Sequence, residues 1–103
     1  MFAEADHTVL LEKYTYDVAA VRIKMTDEHG NILPFFNEPI VLEIEGEIEI
    51  IGPKVLSLQG GMGGTYIKTL GKKGTGRLLI KNAQSGEERI SFTIKIMQST
   101  DRS

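Results

Sequence analysis

The sequence predicts an all-β protein, an antiparallel β-sandwich of about seven to nine strands, and three observations carry that prediction. Apolar and polar residues alternate at period two through most of the 103 positions. Turn residues recur about every ten positions. No window of about 11 residues shows a competing helical period.

Each element follows from its own pattern. "TVLLE" (8–12) is a first strand candidate. "VAAVRIKMTD" (18–27) puts Ala19, Val21, Ile23 and Met25 on one face and Ala20, Arg22, Lys24 and Thr26 on the other, as in a strand with one wet side. "LPFFNEP" (33–39) holds two prolines and suits an edge or a connection. In "IVLEIEGEIEIIG" (40–52), Leu42, Ile44, Ile48 and Ile50 share one parity, while Glu43, Glu45, Glu47 and Glu49 share the other. That is long for one strand, so Gly46 marks a turn, a bulge or a switch between sheets.

"KVLSL" (54–58), "TYIKTL" (65–70) and "GRLLIKN" (76–82) are further strands, and "RISFTIKI" (89–96) alternates Ile90, Phe92, Ile94 and Ile96 with polar residues. "DEHGN" (27–31), "GKKGTG" (71–76) and "NAQSGEE" (82–88) supply turn chemistry. Four of the eleven glycines fall within 60–64. Placed between two strands, they predict a hairpin or sheet-crossing turn with at least one glycine at positive φ.

Composition narrows the function classes. The length fits one domain, 1–103, with a core over about 8–97. There are no cysteines, so no disulfide and no thiolate metal site. Twelve basic residues against 14 acidic ones give no excess to attract a phosphate backbone, and no nucleic-acid partner is expected. No apolar run approaches the roughly 18 residues that span a bilayer, so no membrane partner is expected. "MFAEADHT" lacks the basic and apolar regions of a signal peptide. The compartment stays open, with the bacterial cytoplasm preferred to secretion.

The chemistry-bearing candidates fall one by one. The glycine run meets neither a P-loop nor a dinucleotide fingerprint: Gly71-Lys72 is followed by Lys73, and Tyr66 stands where a third glycine would be. Neither loop opens a helix that could hold an anion. Alternate glutamates on a strand lie about 6.6 Å apart, within the roughly 6.5–9.5 Å of inverting glycosidases. A row of four on one face, however, offers nothing to push two pKa values apart, and reads as a solvated face.

His7 and His29 sit in separate loops, and Asp27, Glu28 and Asn31 read as a turn, so no metal site is expected. Ser57, Ser85 and Ser91 lack an elbow motif, so no catalytic residue and no cofactor is expected. Among the aromatics, Phe92 reads as core, while Tyr14, Tyr16, Phe35, Phe36 and Tyr66 are unplaced. Adjacent Phe35 and Phe36 must point in opposite directions if extended. Phe35, Phe36 and Tyr66 are the candidates for contact with a partner or a sugar, against a plainer role in peripheral packing.

Several segments together resemble a known family. "YDVAAVRIKMTDEHGNILPFFNEPIVLEIEG" resembles bacterial immunoglobulin-like domains, in which a strand runs into a turn carrying Asp27, Gly30, Asn31 and Pro34 here. "IIGPKVLSLQGGMGGTYIKTLGKKGTGRLLI" is similar to the C-terminal immunoglobulin-like domain of β-galactosidase-type enzymes, family 2 of the glycoside hydrolases. The resemblance covers about residues 14–96. It implies an immunoglobulin-like sandwich that serves as a non-catalytic accessory domain of a larger glycosidase, packing against its other domains and framing substrate access. The catalytic carboxylates of that family belong to a separate barrel, so none carries over to this chain. An independent carbohydrate-binding module and a repeat of a bacterial surface adhesin are the alternatives.

Overall fold

The computed structural model describes residues 1–13, 15–36, 38–83 and 86–96. Tyr14 and Ser85 lie outside the described residues. Among the described residues nine strands form two sheets: β1 (Phe2–Ala5), β2 (Val9–Glu12), β3 (Val18–Lys24), β4 (Ile40–Gly46), β5 (Ile48–Ile51), β6 (Val55–Leu56), β7 (Met62–Thr69), β8 (Gly74–Asn82) and β9 (Gly86–Ile96). Among the described residues no helix is long and apolar enough to cross a membrane.

One sheet has the order β1-β3-β7-β5 and the other β2-β9-β8-β4-β6. Neighbours run antiparallel except β2 beside β9, which is parallel. This is the immunoglobulin arrangement: the N-terminal stretch splits, giving one strand to each sheet. The split is fixed at the crossing. Asp6 N–H donates to the Ala20 carbonyl at 3.0 Å, and the Thr8 carbonyl accepts Thr93 N–H at 2.9 Å.

The inward parities meet between the sheets. Ala19, Val21, Ile23 and Met25 are fully or almost fully buried, as their alternation requires, and they face Leu42, Leu78, Ile80, Phe92 and Ile94. Each of these side chains larger than Ala19 contributes roughly 1.5–3 kcal/mol of transfer free energy. Phe92 is the largest of the fully buried side chains. Leu79 departs from the pattern: it lies on the outer face yet is only 7 % exposed. It stands opposite Glu43 and Arg89 in register, and long charged side chains cover apolar neighbours with their stems.

Gly46 is a switch between sheets. β4 ends there in the five-stranded sheet, and β5 begins two residues later in the four-stranded one. The expected "KVLSL" strand shrinks to the two residues of β6, which pair back onto β4. β1 has no counterpart in the alternation reading: "FAEA" is too short and too rich in alanine to show a period.

Candidate functional site

The glycine run resolves into a tight turn and the start of a strand. Gly60 and Gly61 have φ of 60° and 78° and form a two-residue loop. Its closing pair is Gln59 and Met62, with Gln59 N–H to Met62 O at 2.9 Å and Met62 N–H to Gln59 O at 3.1 Å. Consecutive left-handed residues in a two-residue loop are the type I′ geometry that only glycine or asparagine adopts cheaply.

The expectation of a turn with at least one positive-φ glycine holds, and the turn takes only the first two of the four glycines. Gly63 and Gly64 belong to β7, in register with Ile23 and Arg22. Their lack of side chains serves packing. A Cβ on Gly63 would lie 2.7 Å from Leu58 Cδ2, and one on Gly64 would lie 2.6 Å from the Val21 carbonyl oxygen. The Gly61 carbonyl accepts Met25 N–H at 2.8 Å, tying the turn to the end of β3.

The glutamates do not form one row. Because the chain changes sheets at Gly46, Glu43 and Glu45 stand on the outside of the five-stranded sheet, and Glu49 on the outside of the other. Three have basic partners on the neighbouring strand. Glu43 accepts Lys81 Nζ at 2.8 Å, Glu45 meets Arg77 at 3.4 Å, and Glu49 meets Lys68 at 3.5 Å. The hydrogen bond to Glu43 raises the Lys81 pKa. On the same face Arg89 donates to Glu87, which lowers the pKa of that carboxyl. Glu43, Glu45 and Glu49 each face a cation on an exposed sheet face, which does not set up the opposed environments that divide acid and base roles.

The histidines are held by carboxylates nearby. His7 Nδ1 lies 2.9 Å from Asp6 Oδ1, and its Nε2 lies 3.5 Å from Asp17 Oδ2. Asp27 accepts the N–H groups of His29 at 2.8 Å and Asn31 at 2.9 Å, closing the turn at 27–31. Its carboxyl is held below the ordinary value chiefly by the Asn31 N–H. Among the described residues no group of three or more His, Asp or Glu side chains could hold a metal ion.

The three aromatic candidates are not brought together. Phe35 is 93 % exposed on the connection from β3 to β4, while Phe36 is half-buried against the core. One of the pair thus lies outside the core, but in a turn and not an extended segment, since Phe36 N–H donates to the Leu33 carbonyl at 3.2 Å. The connection abuts the glycine turn, for a Cβ on Gly61 would stand 2.4 Å from the Leu33 carbonyl oxygen. Tyr66 lies further along β7, about 16 Å from that turn at the usual strand rise. It is half-exposed and in register with Ala20 on one side and Ile51 on the other.

Around Tyr66 the structure gathers residues that alternation did not single out. Ile51 points outward beside it, and the Nζ of Lys68 lies 5.1 Å from the centre of the Tyr16 ring. A groove of about 370 Å³ lies next to Tyr66, lined also by Ala20, Arg22 and Gly64. The doubled Ile50-Ile51 was the available signal, since a second apolar residue in sequence must face away from the core.

No family profile matches the chain. A β-galactosidase of Thermoanaerobacter pseudethanolicus is 40 % identical over 72 residues, which is 70 % of this chain and 10 % of that protein. A β-galactosidase of Rhizobium radiobacter is 32 % identical over 78 residues, 76 % of this chain and 56 % of that one. The chain thus spans between a tenth and just over half of these relatives' lengths.

Among solved structures, a glycosyl hydrolase family 2 member from Bacteroides cellulosilyticus matches with a TM-score of 0.84 at 17 % identity. The match covers 91 % of this chain and 14 % of that one. A β-glycosidase from Bacteroides vulgatus matches with a TM-score of 0.81 at 13 % identity, over 89 % of this chain and 14 % of that one. Both likenesses fix the fold, and the β-galactosidase sequences supply the kinship. The chain has an immunoglobulin-like fold, shared with part of a solved family 2 glycosyl hydrolase, and in sequence is similar to part of β-galactosidases.

Proposed function

We propose that this chain is a non-catalytic accessory domain of a larger β-galactosidase-like enzyme, packing against the rest of that enzyme and framing access to its substrate. The observation that carries the reading is kinship to a small part of a β-galactosidase, 10 % of the Thermoanaerobacter protein's length. Supporting it, Glu43, Glu45 and Glu49 are engaged by cations on exposed sheet faces, an arrangement that suits solubility and not proton transfer. A two-sheet sandwich held by continuous strand pairing is a spacer able to set the position of whatever it docks onto.

Two measurements test this. The chain alone is assayed on aryl β-galactosides, and the full polypeptide is compared with a form lacking this domain. The expected result is no turnover by the chain, and a lower melting temperature or an altered KM when the domain is removed. Glutamate-dependent hydrolysis by the chain alone would overturn the reading.

A further inference from the structure

We propose that the outer face of the four-stranded sheet, centred on Tyr66, packs against another folded domain of the same polypeptide, whose surface is apolar with a carboxylate facing Lys24. The inference rests on the accessory-domain reading and names the surface it uses. The register defines the face as cross-strand rows: Phe2, Lys24 and Met62; Glu4, Arg22 and Gly64; Ala20, Tyr66 and Ile51; Val18, Lys68 and Glu49.

The third row is wholly uncharged across three strands, and Phe2, Met62, Tyr66 and Ile51 are all 43–55 % exposed. Gly64 carries no side chain, so the Tyr66 ring is open on that side above the groove. A half-exposed tyrosine beside an arginine is the composition of an interface anchor.

The density of ion pairs favours this face over the opposite one. The outside of the five-stranded sheet carries three ion pairs, Glu43–Lys81, Glu45–Arg77 and Glu87–Arg89, with Lys95 opposite Leu11 at its edge. Burying them would cost desolvation for little return. On the Tyr66 face, Glu4 pairs with Arg22 and Glu49 with Lys68, each at 3.5 Å. Lys24 instead lies over the Phe2 ring at 5.9 Å, in a row with Phe2 and Met62 that holds no carboxylate. A carboxylate on the partner would complete the set.

Chemistry and area select the occupant. A pyranose stacked on Tyr66 would need several free hydrogen-bonding groups around the ring, whereas its in-row neighbours are Ala20 and Ile51, Gly64 has no side chain, and Arg22 and Lys68 are already engaged by Glu4 and Glu49. The face measures about 20 Å by 20 Å, on the order of 400 Å², from the strand spacing and rise. That falls short of the roughly 800 Å² per partner of a stable dimer. It fits the smaller interfaces between domains of one chain, where tethering supplies the effective concentration. The matched relatives have that tethered mass, since this chain covers 10 % of one and 14 % of a solved neighbour.

The test combines tetranitromethane footprinting with substitution in the full polypeptide. Tyr66 is expected to nitrate at least about tenfold more slowly in the full polypeptide than in the isolated chain, as a desolvated anchor should. The pair Tyr66→Ser with Ile51→Ser is expected to reproduce most of the fall in melting temperature caused by deleting the domain. The same pair is expected to lower the melting temperature of the isolated chain by clearly less than that of the full polypeptide, and the difference separates docking from folding. If deletion lowers the melting temperature but only Arg77→Ser with Lys81→Ser reproduces it, the face is wrong and the accessory reading stands. If deletion changes nothing, both fail. Protection of Tyr66 in the isolated chain by β-galacto-oligosaccharides, or by raising its concentration, would overturn the proposed occupant in favour of a sugar or a second copy.

Discussion

Gly46 stands directly opposite Gly76 where β4 meets β8, and neither position has room for a side chain. A Cβ on Gly46 would lie 2.3 Å from the Thr75 carbonyl oxygen and 2.9 Å from the Gly76 Cα, and its φ is 86°. A Cβ on Gly76 would lie 2.6–2.9 Å from three carbons of the Ile48 side chain. This close approach lets the chain leave one sheet and place Ile48 in the core as the first residue of the next. Gly46→Ala meets rigid backbone in a left-handed conformation, and is expected to cost about 2–4 kcal/mol. Gly76→Ala meets a movable side chain and is expected to cost less, about 1–3 kcal/mol. Urea denaturation of both variants checks the order.

Two buried threonines on β7 differ in what their hydroxyls meet. Thr69 Oγ1 accepts the Asp17 N–H at 3.0 Å, whereas Thr65 Oγ1 is buried with no hydrogen-bond partner. The same change therefore has opposite signs. Thr65→Val removes an unsatisfied hydroxyl at constant shape and is expected to stabilise by about 1 kcal/mol. Thr69→Val orphans a backbone donor and is expected to destabilise by about 1–2 kcal/mol. Thermal melts of the two variants should move in opposite directions, and equal signs would refute the assignment.

Asp17 links the β2 edge to β3, and it makes stability depend on acid. Burial pushes its carboxyl up, but the N–H groups of Leu11 and Val18 together with His7 outweigh that and hold it below the model-peptide value of 3.8. The folded pKa is thus lower than the unfolded one. The resulting stability is fully present above the unfolded value and is lost as pH falls through the folded one. Asp27 and Glu87 are lowered too, so the loss on acidification is shared. Asp17→Asn is expected to lower stability at pH 7 and to flatten the decline below about pH 4. Urea midpoints across pH 2–7 for both proteins measure it.

Much of the fold was legible because one face of each long strand is buried, which forces period two. Ala19, Val21, Ile23 and Met25 could be placed inside from the sequence alone, and the structure buries all four. Gly46 was legible as a break because no ordinary strand runs that length. Its consequence was not: once the chain changes sheets there, residues of equal parity point off opposite faces, so Glu43 and Glu49 are separated by the whole sandwich. β1 escaped because an edge strand of four residues buries too little to leave a pattern. The face around Tyr66 escaped because register between distant strands assembles it, and one sequence carries no direct record of which residue meets Ala20.

Phe35 and Phe36 give the last test, since adjacent identical residues have been assigned opposite fates. Phe36 packs against the core and its N–H donates to the Leu33 carbonyl at 3.2 Å, while Phe35 projects 93 % exposed from the same turn. A full core phenylalanine costs roughly 3–5 kcal/mol on truncation, so a half-buried one is expected to cost about 1–3 kcal/mol as Phe36→Ala. Phe35→Ala removes a side chain that buries almost nothing and is expected to change stability by less than about 0.5 kcal/mol. Chemical denaturation of the isolated chain reads both effects without involving a partner. A neutral Phe36→Ala beside a damaging Phe35→Ala would mean that the connection from β3 to β4 lies the other way round, with Phe35 turned to the core.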